Sequence, residues 1–320
     1  MNSFASFWWS FLAAALLAWP IYRLLLLTKS RQKIDPHAPE THQRKQGTPT
    51  MGGLIIVVGA AVAMALTLRD ARSSVGGFTS GAWILLLGFA LIGFVDDFVV
   101  PRIWKGKRGL GWKQKIILEF GLAGLASHLV MPAPYLAFWM TLFLILFFSN
   151  AYNFADGLDG LSGTVWLALA YGLMSFSNGA APTQEIVMAI SGATVVFLFL
   201  NAPPAKVFMG DVGSLPIGAL LGWCIAANLW SGSWNPAEID LTLAPALLVL
   251  SFVMIAELVP VPMQVAYFKL TRGKRLFPMT PIHHAFEKVG WPETRVVFAF
   301  ALTQLLLSLA AISFLRVLNR

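Results

Sequence analysis

The chain has 320 residues, of which 57% are hydrophobic and only 12% are charged, and its formal net charge is +8. Soluble globular domains carry roughly 25% charged residues, so this chain has too few of them to cover a water-facing surface. The same figures exclude a disordered chain and a coiled coil. The single cysteine, Cys224, excludes intramolecular disulfides and a zinc site of the CxxC type. The composition therefore indicates an integral membrane protein.

Ten apolar runs follow one another along the chain. A helix crosses the hydrocarbon of a bilayer in about 20 residues, and most of the runs approach that length. They are 4–27, 53–68, 81–98, 113–131, 135–150, 160–177, 185–201, 215–230, 243–268 and 295–318. Barrel strands would alternate with a period of two, which these runs do not. We predict an all-α polytopic membrane protein with about ten transmembrane helices in a single domain, 1–320.

Basic residues are concentrated in alternate loops between these runs. The basic-rich side has the loops 28–52, 99–115, 150–159, 202–214 and 269–294. Together with Arg23 and Arg295 at their flanks, these loops hold 19 of the 23 Lys and Arg residues. Positive residues mark the cytoplasmic side of a membrane protein. We therefore predict that these five loops face the cytoplasm and that both termini lie on the extracytoplasmic side.

The few aspartates cluster at the predicted cytoplasmic boundary. Asp96 and Asp97 end the third run, Asp156 and Asp159 separate the fifth from the sixth, and Asp211 precedes the eighth. Any one of them could be an ordinary loop acid or a helix cap, but five at a common depth favour a shared site. Oxygen ligands without cysteine favour Mg²⁺ or Mn²⁺ over zinc.

Basic and glycine-rich segments lie in the same loops. Lys45 precedes GTPTMGG, and a basic stretch at 269–275 precedes PIHHAFE, which contains His283 and His284. Binding to anionic membrane lipids is the alternative explanation for this charge, but it does not explain the accompanying glycines and histidines. Carboxylates for a divalent ion and cations for phosphate are typical of phosphoryl transfer. At a membrane surface, such a site implies one water-soluble and one lipid-anchored reactant.

One acidic residue lies inside a predicted span. Glu257 is near the middle of the ninth run, shortly before Pro260 and Pro262, which would bend the helix. We predict that Glu257 makes a structural hydrogen bond at this bend. The alternative is a proton relay in an ion-coupled transporter, although transporter sites lie near the bilayer midplane and the five aspartates do not.

The motifs together resemble the phospho-N-acetylmuramoyl-pentapeptide-transferases, a family within the polyprenyl-phosphate N-acetylhexosamine-1-phosphate transferase superfamily. The resemblance is carried by KQGTPTMGG (45–53), GFVDDF (93–98), NAYNFADGLDGLSG (150–163), FLNAPPAKVFMGDVGSL (199–215) and QVAYFKLTRGKRLFPMTPIHHAFEKVGW (264–291). These segments occur in the family's order, lie in or border the predicted cytoplasmic loops, and span most of the chain.

The resemblance implies a bacterial cytoplasmic-membrane enzyme with its active site facing the cytoplasm, a bent ninth helix, usually a homodimer, and no nucleic-acid partner. It implies transfer of phospho-N-acetylmuramoyl-pentapeptide from UDP-MurNAc-pentapeptide to undecaprenyl phosphate, which gives lipid I and UMP and requires Mg²⁺. A phosphate monoester is already a nucleophile near neutral pH, because its second pKa is about 6. We therefore favour direct attack over a covalent aspartyl-phosphate.

The resemblance also implies roles for particular residues. Asp211 is expected to be the principal Mg²⁺ ligand, and Asp96 the base or the group that orients the lipid phosphate, with Asp97 beside it. His283 and His284 are expected to lie over the sugar diphosphate. The residues expected to bind substrate, mainly at the nucleotide, are Lys45, Thr50, Asn153, Asp156, Gly157, Leu158, Asp159 and Phe208.

The chain departs from the family pattern at two positions. Ala285 follows His283 and His284 where the family usually has a third histidine, and Val100 stands where a lysine usually follows the aspartate pair, so that Lys105 or Lys107 could compensate. These departures concern specificity and rate more than reaction class. The alternatives are a related enzyme that transfers another UDP-sugar phosphate such as GlcNAc-1-phosphate, the ion-coupled transporter, and a catalytically silent scaffold.

Overall fold

Helices form nearly all of the regular structure in the computed structural model. It describes residues 3–28, 47–68, 76–104, 107, 109–131, 136–176, 181–231, 235–239 and 241–318. The helices are α1 (Ser3–Leu27), α2 (Leu54–Thr67), α3 (Gly76–Phe94), α4 (Val100–Ile103), α5 (Trp112–Val130), α6 (Leu136–Ala155), α7 (Leu161–Leu173), α8 (Ala181–Asn201), α9 (Asp211–Asn228), α10 (Ala244–Leu250), α11 (Phe252–Leu258), α12 (Pro260–Leu270), α13 (Ile282–Lys288) and α14 (Glu293–Leu318). Every predicted apolar run coincides with a helix, or, for the ninth run, with the series α10 to α12.

A short β-hairpin is an addition to the all-α prediction. Strands β1 (Trp230–Ser231) and β2 (Asn235–Ile239) pair antiparallel, with Trp230 opposite Ile239. The eighth apolar run ends at 230, and the sequence predicts no strand beyond it. A hairpin this short has little period-two pattern by which a sequence could reveal it.

The described helices include six segments that are long and apolar enough to cross a membrane. They are Phe4–Leu27, Gly76–Ile103, Leu136–Ala155, Pro182–Asn201, Phe252–Leu270 and Glu293–Leu318. Large apolar side chains such as Leu16 and Phe199 remain more than 75% exposed on them, which suits a helix surrounded by lipid. The chain is therefore a multi-pass membrane protein, while the number of ten spans stays a prediction.

Helix α9 lies at the centre of the bundle. All of its residues from Val212 to Ala226 are buried, and it packs against α3 and α6. Gly218 and Gly222, one turn apart, allow α6 to approach closely, because a Cβ at either position would collide with the α6 backbone. This packing places the first residue of α9 beside the C-terminal end of α6.

The ninth predicted span is divided into three helices. Breaks fall at Ser251, between α10 and α11, and at Val259, just before Pro260. Pro260 and Pro262 have no backbone N–H to donate to the preceding turn, so the continuous hydrogen-bond ladder is interrupted there. The break at Val259 coincides with the prolines, whereas the break at Ser251 has no proline beside it, and the bend of this helix stays a prediction.

Candidate active site

Three aspartates from two helices form an acidic cluster. Asp96 and Asp97 lie in a π-helical turn, Val95–Val99, that follows α3, and Asp211 is the first residue of α9. Each offers a carboxylate oxygen, and the three oxygens lie within 4.8 Å of one another. Single π-helical turns often occur at functional sites. The structure thus brings together the three aspartates that the sequence placed at a common depth.

The start of α9 is held by Asp97, while Asp211 points elsewhere. Gly210 precedes the helix with a φ of +71°, a conformation that glycine adopts without strain. Oδ2 of Asp97 accepts a hydrogen bond of 3.3 Å from the backbone N–H of Val212. The N-cap position of α9 is Gly210 and not Asp211, whose side chain accepts hydrogen bonds from Lys115 and Asn153. The helix-cap alternative for Asp211 is therefore wrong, and its carboxylate is free to face the cluster.

Asp211 is held by one cation and one amide. Nζ of Lys115 lies 2.5 Å from Oδ2 of Asp211, and Nδ2 of Asn153 donates to Oδ1 at 2.7 Å. Asp211 lies just outside the predicted eighth span. Burial acts to raise the pKa of Asp211, but Lys115 and Asn153 outweigh it and hold the pKa below its ordinary value. Asp211 is therefore ionised at neutral pH, in the form that binds a metal ion.

The cluster brings three carboxyl groups together beside one cation among the described residues. Lys115 offers one positive charge to the three carboxylates of Asp96, Asp97 and Asp211, and a backbone N–H from Leu110 adds a hydrogen bond of 2.5 Å to Oδ1 of Asp96. Adjacent carboxylates repel one another unless a cation or a proton intervenes. The donor set, all carboxylate oxygen, fits a hard divalent cation. These three residues could hold a metal ion.

Asp156 lies beside this cluster, in the turn that joins α6 to α7. Its Oδ1 accepts a hydrogen bond of 2.6 Å from Oγ of Ser162. Burial raises the pKa of Asp156 to about 7; the Ser162 hydroxyl opposes the shift and the negative charge of Asp211 adds to it. Asp156 lies outside the predicted spans. With this pKa, its carboxyl group titrates near neutral pH.

The rest of the same turn is tied to two neighbouring segments. Oδ2 of Asp159 accepts a hydrogen bond from Ala205 N–H at 2.9 Å, and the Asp159 N–H donates to Oε1 of Glu293 at 2.7 Å. Leu158 is 96% buried within the hydrophobic core, so its side chain faces away from solvent. Of these predicted residues, Asp159 and Leu158 thus fix the shape of the loop, and Glu293 is a contributor that the sequence analysis missed.

Thr50 and Phe208 lie in two segments that run side by side. Phe208 N–H donates to Pro49 O at 2.9 Å, and Gly52 N–H donates to Phe208 O at 2.7 Å. The hydroxyl of Thr50 lies beside Gly210, close to the acidic cluster. Lys45, which precedes this segment, falls outside the described residues.

Two histidines complete the arrangement, each with a glutamate partner. Nδ1 of His283 lies 2.8 Å from Oε2 of Glu257, and Nδ1 of His284 lies 2.8 Å from Oε2 of Glu287. The His283 ring also packs against Gly157, where a Cβ would collide with Nε2. Glu257 does form a hydrogen bond, as predicted, but its partner is a histidine 26 residues further along the chain.

The two departures from the family pattern have different surroundings. Val100 is 97% buried, and Ala285 lies in α13. The ammonium of Lys107 lies 5.9 Å from the ring centre of Trp104, and Lys105 falls outside the described residues. Among the described residues, Lys115 is the cation that contacts the acidic cluster. In the sequence it is only one of several basic residues in the loop 99–115.

Comparison with known proteins identifies relatives across almost the whole chain. The family model described as "Glycosyl transferase family 4" matches residues 79–228. The model described as "Phospho-N-acetylmuramoyl-pentapeptide-transferase signature 1" matches residues 45–57. Curated proteins named phospho-N-acetylmuramoyl-pentapeptide-transferase are similar as well. One from Heliobacterium modesticaldum is 37% identical over 91% of this chain and 92% of its own, and one from Shouchella clausii is 37% identical over 95% and 94%. One from Bacillus subtilis is 35% identical over 94% of both chains.

The matches extend over most of the chain and are not confined to one motif. The signature at 45–57 and the match at 79–228 together include Thr50, the three clustered aspartates and the turn at 156–159. The identity of these relatives is above 30% over more than nine-tenths of both chains. The chain belongs to the phospho-N-acetylmuramoyl-pentapeptide-transferase family.

Proposed function

We propose that this chain transfers phospho-N-acetylmuramoyl-pentapeptide from its UDP conjugate to undecaprenyl phosphate in a Mg²⁺-dependent reaction that gives lipid I and UMP. The observation that carries the proposal is the cluster of Asp96, Asp97 and Asp211, paired with Lys115, at one end of a membrane helix bundle. The name of the family to which the chain belongs describes this transfer. A site at the end of the helices can receive one reactant from water and the other from the bilayer.

Asp211 is the proposed principal Mg²⁺ ligand. It is ionised, and it is the first residue of the buried helix α9. The side-chain amide of Asn153 donates a hydrogen bond to its carboxylate and fixes its orientation. When bound, Mg²⁺ neutralises charge on the diphosphate of the donor and stabilises the UMP leaving group. Lys115 then provides a second positive charge in contact with the same carboxylate. We assign Lys115 to the neutralisation of phosphate charge together with the metal.

Asp96 and Asp97 have different proposed roles, because their surroundings differ. Oδ1 of Asp96 is fixed by Leu110 N–H, and its carboxylate is available to orient the lipid phosphate or to take its last proton. Oδ2 of Asp97 holds the start of α9 and so supports Asp211. An oxygen of undecaprenyl phosphate attacks the sugar-bearing phosphorus, the bond to UMP breaks, and no enzyme-bound intermediate is required. We therefore propose direct attack.

The nucleotide is proposed to bind along the turn at 156–159 and the paired segments near Thr50 and Phe208. The carboxyl and amide groups of Asn153, Asp156 and Asp159, with the backbone of Gly157 and Leu158, offer hydrogen-bond partners for uracil and ribose. Lys45 is proposed to contact the phosphates. His283 and His284 are proposed to lie on the sugar-diphosphate side, because the His283 ring packs directly against Gly157.

The membrane arrangement is also proposed. Ten spans with both termini outside would place the basic loops and the acidic cluster on the cytoplasmic face of the bacterial inner membrane. The ends of α3 and α6 and the starts of α5 and α9 meet at the cluster, as alternating spans require. We propose a single domain and a homodimer. Reporter fusions at both termini test the orientation, and cross-linking in membranes tests the dimer.

The decisive experiment is mass spectrometry of the lipid product. Purified protein is incubated with Mg²⁺, undecaprenyl phosphate and either UDP-MurNAc-pentapeptide or UDP-GlcNAc. We expect lipid I and an equal amount of UMP from the first donor and little lipid product from the second. The absence of the third histidine, at Ala285, favours the related GlcNAc-1-phosphate transferase as the second candidate. A product formed only from UDP-GlcNAc would select that candidate, and no lipid-linked product from either donor would reject both.

A further inference from the structure

A buried carboxylate–histidine pair joins the divided ninth span to the site. Glu257 lies in α11 and His283 in α13, and their side chains are both 0% exposed, with Oε2 and Nδ1 2.8 Å apart. Buried polar pairs are a weak source of stability, because desolvation of both groups offsets most of the attraction between them. A role other than stability therefore has to be considered for Glu257.

The other ring nitrogen of His283 has no partner. Nε2 is buried and lacks a hydrogen-bond partner among the described residues, and it faces Gly157 so closely that no Cβ would fit there. Buried polar atoms in folded proteins are nearly always hydrogen-bonded. An unpaired nitrogen that faces the turn at 156–159 therefore indicates a position for a polar atom of a ligand bound at that turn.

We propose that Glu257 is a positioning residue for the transferase reaction. Its carboxylate accepts the Nδ1–H of His283, which fixes the ring orientation and directs Nε2 toward the donor-binding turn. Carboxylates orient histidines in the same way at metal sites and in catalytic triads. Glu257 does not touch the substrate and acts only through His283. The inference rests on the proposed function, since it assumes that the UDP-linked donor binds at 156–159.

The kinetic test is a double-mutant cycle in which kcat is measured for lipid I formation. We expect Glu257→Ala to lower kcat by roughly 10- to 100-fold, as loss of an orienting carboxylate does elsewhere. In a His283→Ala background, the same change should alter kcat by less than about twofold, since the group through which Glu257 acts is gone. Glu257→Gln retains a side-chain carbonyl that can accept Nδ1–H and should recover most of the activity.

Gln304 provides the matched control. It is also fully buried, and its amide donates to Leu250 O at the end of α10 and to Oγ of Ser308. Gln304→Leu removes a buried polar group near the divided span without touching the Glu257–His283 pair. We expect its kcat to stay within about twofold of the wild type. Losses by Glu257→Ala and His283→Ala that multiply in the double variant would overturn the proposal.

A spectroscopic measurement tests the pair without reference to activity. The chain has only five histidines, so ¹⁵N-histidine labelling gives few signals, and His283→Asn assigns the relevant one. We expect the wild-type protein to show His283 with a proton on Nδ1 in a strong hydrogen bond. A neutral ring protonated only at Nε2 would overturn the proposal even if Glu257→Ala fails to fold. Failure of the wild-type protein to form lipid I would instead reject the proposed function.

Discussion

Lys115 and Asp211, which are 96 positions apart in the chain, form an ion pair at the acidic cluster, with Nζ 2.5 Å from Oδ2. Both side chains are more than 80% buried. In this pairing, the Lys115 ammonium occupies one oxygen of the carboxylate proposed to bind Mg²⁺. Lys115 therefore partly neutralises the cluster when no metal is bound, and metal binding has to share or displace its contact.

Replacement of Lys115 by methionine tests this relationship. Loss of the ammonium removes the cation that pairs with Asp211 among the described residues, and removal of one partner of a largely buried pair costs about 3–5 kcal/mol. We expect the metal-free Lys115→Met protein to unfold at a clearly lower temperature than the wild type. Added Mg²⁺ should raise its unfolding temperature more than that of the wild type, because the metal replaces the missing charge. Thermal unfolding in detergent, with and without Mg²⁺, measures both effects.

Lys113→Met is the control for this change. Lys113 is exposed on the same helix, and its ammonium lies 5.5 Å from the ring centre of Trp112, so its loss should change stability by less than about 1 kcal/mol. Equal effects of the two substitutions would show that the pair with Asp211 has no special importance.

Asp211→Asn tests the proposed metal ligand. Asparagine keeps the shape of the side chain, so the fold should survive, but the ionised oxygen that would bind Mg²⁺ is lost. We expect kcat for UMP release to fall by roughly 10²- to 10³-fold or more, as when one stabilising group is removed from other active sites. The Mg²⁺ concentration needed for half-maximal activity should rise as well. A steady-state assay over a range of Mg²⁺ concentrations measures both quantities.

A second substitution in the same helix controls for damage to α9. Asn228 lies at the opposite end of α9, where its amide donates to Cys224 O at 2.8 Å. Asn228→Ala should leave kcat and the Mg²⁺ requirement unchanged. If Asp211→Asn retains full turnover, Asp211 is not the metal ligand.

The sequence predicted the apolar helices better than the contacts between them. Apolar runs are a local signal, and each run coincides with a helix or a series of helices, although the short helices α4 and α13 lie in predicted loops. The sequence also put Asp96, Asp97 and Asp211 at one predicted boundary, and they meet at one end of the bundle. Which side chains meet at that end depends on how the helices pack. The pairing of Lys115 with Asp211 and that of Glu257 with His283 therefore could not be predicted. For Glu257 and His283, the sequence shows an acidic residue inside a predicted span and a histidine motif after it, but it does not show that the two meet.

Asp156 should make stability depend on pH. Its pKa is about 7 in the folded protein against an ordinary value of 3.8, so the folded state binds more protons than the unfolded state between these values. Stability then falls as pH rises from about 4 to about 7. We expect Asp156→Asn to reduce this slope, because no carboxyl remains to be deprotonated. Unfolding temperatures measured in metal-free buffer over this pH range give the slope for each protein.

Ser162→Ala provides an independent check on the same group. The Ser162 hydroxyl stabilises the ionised carboxylate of Asp156 through a hydrogen bond of 2.6 Å, so its loss should raise the pKa of Asp156 further. The fall in stability should then extend to higher pH than in the wild type. If the wild type and Asp156→Asn have identical slopes, another group controls the pH dependence.

Gly157 should not tolerate a side chain, although its backbone is not in a conformation reserved for glycine. The obstacle is His283, because a Cβ at position 157 would collide with Nε2 of its ring. Gly157→Ala therefore has to move either the histidine or the turn at 156–159, which is proposed to bind the donor, and a displacement of about 1 Å at an active site can cost roughly 10²-fold in rate. We expect a loss of kcat/KM for the UDP-linked donor of this order.

Gly121→Ala is the control for this substitution. Gly121 lies in α5, where a new Cβ would have no neighbour within 4 Å, and alanine favours a helix by about 0.5–1 kcal/mol over glycine. Gly121→Ala should therefore be as active and as stable as the wild type.

The double variant Gly157→Ala/His283→Ala separates the two possible displacements. With the imidazole removed, the added methyl group has room, so Gly157→Ala should cause little further loss in that background. A full additional loss would mean that the turn itself, and not the histidine, requires glycine at position 157.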